Sequence, residues 1–160
     1  MKTIHLVAAI SIASFIGCSE VEQDDTPDSV LKSFGTMFPN AKNVEWEHED
    51  DVWEAEFISN EHEVSAEYSK TGGWIETETT LHRSEVPSPV VDGIFAKYTN
   101  AEFLKFEEVR GEDFLAYEVD ILFEEEEIEI LISGSGIILE GEPGSEEVEE
   151  QIEEEEKVQV

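Results

Sequence analysis

The sequence predicts an α+β fold made of two tandem repeats, each with one helix followed by an antiparallel sheet of about four strands, and with the helices on one sheet face. Similar residues recur about 60 positions apart. In each copy, apolar residues at helical spacing precede segments in which apolar and acidic residues alternate. Hydrophobic residues form 39% of the 160 residues, which is enough for a core despite a formal net charge of -32.

The chain begins with a segment typical of a secretory leader. Lys2 supplies a positive start, and the apolar run from Ile4 to Ile16 is too short for a comfortable membrane span. Gly17 and Cys18, the sole cysteine, end this run and resemble a bacterial lipobox. We expect residues 1–17 to be a lipoprotein signal peptide and Cys18 to be lipidated. An ordinary signal peptide that ends near the only cysteine is the alternative.

The segment after Cys18 is expected to connect the lipid to the folded domain. Residues 18–25 are polar and acidic, as in a solvated tether. In some Gram-negative bacteria, acidic residues at this place resemble a signal for export to the cell surface. The expected location is therefore the cell envelope, anchored by lipid at the outer membrane, on its periplasmic side or at the cell surface.

The first repeat, residues 26–84, opens with a predicted helix. Pro27 suits a first helical turn, with Thr26 or Ser29 as the capping residue. The helix ends before Pro39. Its apolar stripe consists of residues 30, 31, 34, 37 and 38.

The second repeat, residues 85–141, starts in the same way at Ser88-Pro89. Its helical stripe consists of residues 90, 91, 94, 95 and 98. Gly35 and Gly93 lie inside the two helices, where each costs about 1 kcal/mol relative to alanine. They either permit close contact with the sheet or are neutral.

Alternation at period two predicts the strands that follow each helix. The pattern Trp53-x-Ala55-x-Phe57 matches Tyr117-x-Val119-x-Ile121, and Val64-x-Ala66-x-Tyr68 matches Ile128-x-Ile130-x-Ile132. Gly73-Trp74 then matches Gly136-Ile137, after a loop one residue shorter. Such matches in the same order favour a duplication.

Several of these motifs together resemble one family. Phe38-Pro39-Asn40-Ala41, Val44-x-Trp46, Trp53-x-Ala55-x-Phe57 and Gly73-Trp74 are similar to the PepSY-like family, which is also described as resembling the β-lactamase inhibitory protein. The second copy departs from the pattern at Thr99 and Phe106. The resemblance covers about residues 26–140. It implies a tandem α+β module of secreted or lipid-anchored bacterial proteins, with protein binding on the sheet face.

The polar sheet face is the candidate binding surface. Nine acidic side chains are predicted to project from the side opposite the helices: Glu45, Glu47, Glu54, Glu56, Glu63, Glu67, Glu118, Asp120 and Glu129. Like charges on neighbouring strands repel. The face is therefore simply solvated, or meets a basic partner, or holds cations.

Composition and motifs exclude several functions. The few Lys and Arg residues argue against nucleic-acid binding. Neither a nucleophile elbow nor a Ser/His/Asp spacing is present, so we expect no enzyme and no cofactor. The clusters around His48 and His62 mix imidazole and carboxylate, but they are interpreted as acidic loops rather than as a metal site. Residues 142–160 are expected to form an acidic, disordered tail.

The resulting hypothesis is a noncatalytic, lipid-anchored envelope protein. It would bind or modulate another envelope protein or peptide of basic character, with inhibition of a hydrolase as one specific version. The alternative is an acidic envelope lipoprotein that buffers cations or acts structurally.

Overall fold

The computed structural model describes residues 19–21 and 25–140, and within them it places two helices and one antiparallel sheet. The predicted signal peptide, the lipidation site Cys18 and the predicted tail lie outside the described residues. The helices are α1 (Asp28–Met37) and α2 (Ser88–Lys97). The strands are β1 (Ser19–Val21), β2 (Lys42–Glu49), β3 (Val52–Ser59), β4 (His62–Ser69), β5 (Trp74–Thr80), β6 (Glu102–Gly111), β7 (Leu115–Phe123), β8 (Glu126–Ser133) and β9 (Ile138–Glu140).

The described strands follow one another across the sheet in chain order, and every neighbouring pair is antiparallel. Eight strands, β2 to β9, follow the two helices, four after each. The pairing of β5 with β6, in which Thr79 lies opposite Glu108, joins the strands after α1 to those after α2. The two predicted four-strand sheets are therefore one continuous sheet.

The strand β1 comes from the predicted tether of residues 18–25. Ser19–Val21 pair with β2, with Ser19 opposite His48 and Val21 opposite Trp46. This part of the segment is thus a strand on the edge of the sheet. Neither described helix has the length and apolar character that a bilayer crossing requires.

Each helix packs on its own group of buried side chains. Phe34 of α1 lies 5.2 Å from the Trp46 ring and 5.1 Å from the Phe57 ring, measured between centroids. Ile94 of α2 is buried in a cluster in which aliphatic side chains, such as Val119 and Ile130, outnumber the aromatic ones. We call these the aromatic core and the aliphatic core.

Both cores lie on the same face of the sheet. Residues directly opposite each other on neighbouring strands share a face. The pairings Val64–Thr79, Thr79–Glu108, Glu108–Tyr117 and Tyr117–Ile132 therefore form one row across the helix-bearing face. This row begins in the aromatic core and ends in the aliphatic core.

The predicted helix cap is wrong. Pro27 occupies the cap position of α1, and no side-chain hydrogen bond caps the helix. The hydroxyl of Thr26 is buried without a hydrogen-bond partner among the described residues. Ser29 lies inside α1 and donates to the Lys70 carbonyl at 3.2 Å, so it fastens the helix to the β4–β5 turn.

The turns after β4 and β8 have the same hydrogen bonds at the same spacing. The Ser69 amide donates to the Gly73 carbonyl at 2.8 Å, and the Ser133 amide donates to the Ile137 carbonyl at 2.8 Å. Gly72 therefore corresponds to Gly136, both with positive φ, and the predicted one-residue shortening of the second loop is wrong.

Candidate functional site

Acidic side chains cover the sheet face that carries no helix, which we call the acidic face. In β3, Trp53, Ala55 and Phe57 enter the aromatic core. Because side chains alternate along a strand, Glu54 and Glu56 project from the opposite face. The same alternation applies to the acidic residues of the other strands.

Strand register brings the nine predicted residues together in two groups. In the first group, Glu45 lies opposite Glu56, Glu47 lies opposite Glu54, and Glu54 lies opposite Glu67. Glu63 belongs to the same region, opposite Ile58.

The second group lies on β7 and β8. Asp120 is opposite Glu129, and Glu118 is opposite Leu131. One carboxylate oxygen of each of Glu118, Asp120 and Glu129 lies within 4.8 Å of the others.

Two glutamates that were not among the nine predicted residues, Glu78 and Glu107, connect the two groups. Glu78 of β5 lies opposite Ser65 and Val109, and Glu107 of β6 lies opposite Thr80 and Glu118. Glu76 projects from the same face of β5 as Glu78. The spacing Glu76-x-Glu78 was the available signal, since it repeats the alternation of Glu54-x-Glu56.

Several carboxyl groups on this face are buried. Glu76, Glu107 and Glu118 are only 4%, 6% and 7% exposed. One oxygen of Glu76 has no hydrogen-bond partner among the described residues. A buried polar atom without a partner costs free energy, so this face carries strain that a cationic group or a proton would relieve.

Burial and crowding shift the titration of these groups. Burial, followed by the charges of Glu76 and Glu54, raises the pKa of Glu67 to about 7. Burial raises the pKa of Glu78 to about 8, with Glu107 as the largest neighbouring charge. The pKa of Glu118 is also raised to about 8, mainly by burial and then by Glu129. The acidic face therefore holds some of its protons near neutral pH.

Lys105 is a cation within this acidic surface. Its ammonium nitrogen lies 2.8 Å from Oε2 of Glu107, whose Oε1 accepts a hydrogen bond from Thr80 at 3.2 Å. Burial alone would lower the pKa of Lys105, but the hydrogen bond and charge of Glu107, together with the charges of Asp120 and Glu78, outweigh it and raise the pKa. An ammonium group is thus already held by carboxylates on this face.

A pocket of about 360 Å³ opens on the acidic face between β2 and β6. Its lining includes six carboxylates and the single ammonium of Lys105. The carboxylates are those of Glu45, Glu54, Glu56, Glu63, Glu78 and Glu107. The pocket therefore suits a cationic guest rather than an anion or an apolar ligand.

Both histidine clusters are divided between the two faces. The His48 ring stacks on Trp53 at 4.2 Å, on the helix-bearing side, while Glu47 projects onto the acidic face. His62 binds the Thr80 carbonyl through Nδ1 at 2.8 Å and lies 3.3 Å from a Glu85 oxygen through Nε2. Each imidazole thus contacts residues outside its own cluster in the sequence.

Comparison with known proteins agrees with this architecture. The sequence profile of the family described as "Putative beta-lactamase-inhibitor-like, PepSY-like" matches residues 51–140. No curated protein sequence matches the chain.

Solved structures from Bacteroides have a similar fold. A protein described among "putative periplasmic proteins" from Bacteroides eggerthii DSM 20697 has a TM-score of 0.68 and 19% identity, covering 73% of this chain and 88% of its own. A "BLIP-like protein" from Bacteroides fragilis NCTC 9343 has a TM-score of 0.65 and 18% identity, covering 72% of this chain and 85% of its own. At this identity, these relatives establish the fold alone.

Proposed function

Because the chain belongs to the PepSY-like, beta-lactamase-inhibitor-like family, we propose that it is a noncatalytic protein that binds another protein or peptide through its acidic face. One observation carries the proposal: carboxylates continue across the face from β2 to β8, and three of them are buried. Repulsion between them opposes folding, and a basic partner would convert that repulsion into attraction.

The partner is a basic protein or peptide of the cell envelope. The net charge of -32 attracts such a partner from a distance and discourages binding to nucleic acids or to anionic lipid surfaces. Modulation of the partner, including inhibition, is the functional outcome that agrees with the description of the Bacteroides fragilis protein as BLIP-like.

Lipid attachment at Cys18 would place the protein at the outer membrane, on its periplasmic side or at the cell surface. Support comes from the lipobox-like end of the leader and from the relative described as periplasmic. Labelling of cells with a clickable palmitate analogue tests this point, because Cys18→Ala would abolish incorporation.

The domain boundaries follow from a duplication, in which residues 26–84 and 85–141 are copies of one ancestral unit and residues 142–160 form an acidic tail. The matching turns at Gly72 and Gly136 support this origin. The shared core face explains why neither copy needed to fold alone, since a unit of about 60 residues has a marginal core.

Cation buffering is the second candidate, and a separate observation favours it. Glu118, Asp120 and Glu129 bring three carboxylate oxygens within 4.8 Å of one another, which resembles an oxygen site for Ca²⁺ or Mg²⁺. Calorimetry with each ion distinguishes the candidates. Saturable micromolar binding with a gain in stability supports buffering, whereas weak heat that salt abolishes argues against it.

The experiment that tests protein binding is a crosslinking pull-down from native envelope extract. The bait is the chain without residues 1–18, and the face variant replaces Glu54, Glu56, Glu63 and Glu67 with Lys. We expect one enriched protein that the face variant loses and that a truncation after Gly141 retains. Equal recovery by the wild type and the face variant, or no enrichment at moderate salt, contradicts the proposal.

A further inference from the structure

The pocket on the acidic face exists because one row across the sheet contains a small residue between two long ones. Glu56, Ser65 and Glu78 lie side by side on β3, β4 and β5. Neighbouring strands are about 4.8 Å apart, so the two glutamates start about 10 Å apart with Ser65 between them. The Ser65 hydroxyl donates to Oε1 of Glu54, which holds it down against the sheet.

This spacing suits an ammonium ion better than a metal ion. A metal needs several oxygens within about 2.6 Å of one point, whereas an ammonium donates hydrogen bonds about 2.8 Å long from a single nitrogen. Among the described residues, the carboxylates that converge closely enough for a metal are Glu118, Asp120 and Glu129, and none of them lines the pocket.

Lys105 shows how the face binds such a group. Its ammonium contacts Glu107 at 2.8 Å at the β6 end of the pocket. The charge of Lys105 also acts on Glu56 and Glu78, but among the described residues neither carboxylate forms an ion pair with a lysine or arginine. The ammonium of Lys105 is therefore bound at Glu107, which leaves the space between Glu56 and Glu78 for a second ammonium.

A separate observation beside the pocket agrees with a bound cation there. Glu76 precedes Glu78 by two residues on the same strand face and is 4% exposed, yet one of its oxygens lacks a donor among the described residues. A buried carboxylate oxygen is normally satisfied by a donor or a cation. An ammonium at Glu78 would offset the negative charge in this corner of the face.

We propose that the pocket receives one lysine side chain of the protein partner, with its ammonium between Glu56 and Glu78 above Ser65 and its aliphatic stem against Ile58. The proposal rests on the proposed function, because it names the part of the partner that the acidic face recognises. Ile58 lines the pocket, and lysine stems pack readily on apolar side chains. Arginine is a poorer guest, because its planar fork matches a single carboxylate side-on rather than two from separate strands.

The test is an NMR titration of the chain without residues 1–18 at moderate salt and at pH 8.5, above the pKa of about 8 to which burial raises Glu78, so that Glu78 carries its charge. The probes are three acetylated, amidated pentapeptides, Gly-Ser-X-Ser-Gly, in which X is lysine, arginine or norleucine. Norleucine keeps an aliphatic stem and lacks the ammonium. We expect the lysine peptide to give saturable shifts at the amides of Glu56, Ser65 and Glu78. The norleucine peptide should give none, and the arginine peptide should bind more weakly.

Two variants separate a pocket from diffuse charge attraction. Glu78→Gln and Glu129→Gln remove the same charge from the same face, but only Glu78 lines the pocket. We expect Glu78→Gln to weaken binding of the lysine peptide about tenfold, which is the contribution of one charge-assisted hydrogen bond. Glu129→Gln should change this affinity less than twofold. Ser65→Val fills the floor without changing the charge and should also weaken binding.

If Glu78→Gln and Glu129→Gln weaken binding of the lysine peptide equally, the proposed lysine pocket is wrong. Equal binding of the arginine and lysine peptides would also contradict it. The pull-down gives an independent result. If it enriches a partner while the lysine peptide fails to bind, the pocket is wrong and the proposed function stands. If the lysine peptide binds at the pocket and no partner is enriched, the proposed function fails.

Discussion

The first half of the molecule, residues 28–80, and the second half, residues 88–140, join helix to turn at the same place by different chemistry. In the first half, Ser33 of α1 donates a hydrogen bond to the Gly72 carbonyl at 2.7 Å. In the second half, Gly93 of α2 lies so close that an added Cβ would be 2.3 Å from the Gly136 oxygen. A polar side chain and the absence of a side chain thus give the same contact.

The cores of the two halves also reach the same arrangement with different side chains. Phe34 lies within 6.4 Å of four aromatic rings, between centroids, and so anchors the aromatic core. Ile94, its counterpart in α2, is fully buried in the aliphatic core, where nine aliphatic residues stand beside three buried aromatic ones. The comparison teaches that one backbone plan accepts either kind of packing, provided that the helix-facing positions stay apolar.

The largest expected effect comes from emptying one core at a time. Phe34→Ala should lower the free energy of unfolding by about 3–5 kcal/mol, and Ile94→Ala by about 2–5 kcal/mol, with the aromatic core losing more. Because β5 and β6 join the halves, each variant should still unfold in one transition. Urea denaturation followed by fluorescence and by circular dichroism measures both.

The exposed Phe95 supplies the control for these core variants. It is 42% exposed, so Phe95→Ala should cost much less than Ile94→Ala. Two separate transitions in Ile94→Ala would show that the halves are independent units, against the continuity of the sheet.

Glycines inside the helices give the second comparison. Gly93→Ala should destabilise by about 1–3 kcal/mol, because the new Cβ would collide with the backbone oxygen of Gly136. A Cβ at Gly35 would meet nothing within 4 Å, so Gly35→Ala should stabilise by about 0.5–1 kcal/mol. Thermal unfolding of the two variants checks the opposite signs, and stabilisation by Gly93→Ala would contradict the close contact.

Much of the fold was predictable because the spacing of apolar residues and the position of a proline in the sequence agree with the tertiary structure. Pro39 and the helical stripe predicted α1, and the alternation from Trp53 to Phe57 predicted β3. The cap was not predictable, because Ser29 donates its hydrogen bond to the carbonyl of Lys70, in a turn that is 41 residues away. The correspondence between Gly72 and Gly136 could not be found from the sequence, because Gly72 and Gly73 are adjacent and either could be aligned with Gly136 until their φ angles are known.

The candidate site was predictable as a face but not as a pocket. Alternation alone placed Glu54 and Glu56 on the polar side. The importance of Glu78 and Glu107 depends on β5 pairing with β6, a contact between distant parts of the chain. The β6 irregularity between Phe103 and Lys105 also shifts which side chains face the acidic surface, and a strict period of two cannot anticipate it.

The smallest effect compares the carboxylates of the two halves by their pH dependence. The pKa values of Glu67 and Glu118 are raised to about 7 and about 8 in the folded protein, from 4.5. Between 4.5 and these values the folded state holds a proton that the unfolded state has released. The stability contributed by protonation is therefore complete below pH 4.5 and is lost as the pH rises through the folded pKa.

Replacement with glutamine mimics the protonated form at every pH. We expect Glu67→Gln and Glu118→Gln to raise the free energy of unfolding at pH 8.5 by on the order of 1 kcal/mol each, and to have little effect at pH 4.5. The gain should level off above about pH 7 for Glu67→Gln and above about pH 8 for Glu118→Gln. Urea denaturation across this range at constant ionic strength measures both profiles. A gain that grows as the pH falls would mean that these carboxylates stabilise the sheet, and the argument that a cationic partner relieves repulsion on the acidic face would lose its basis.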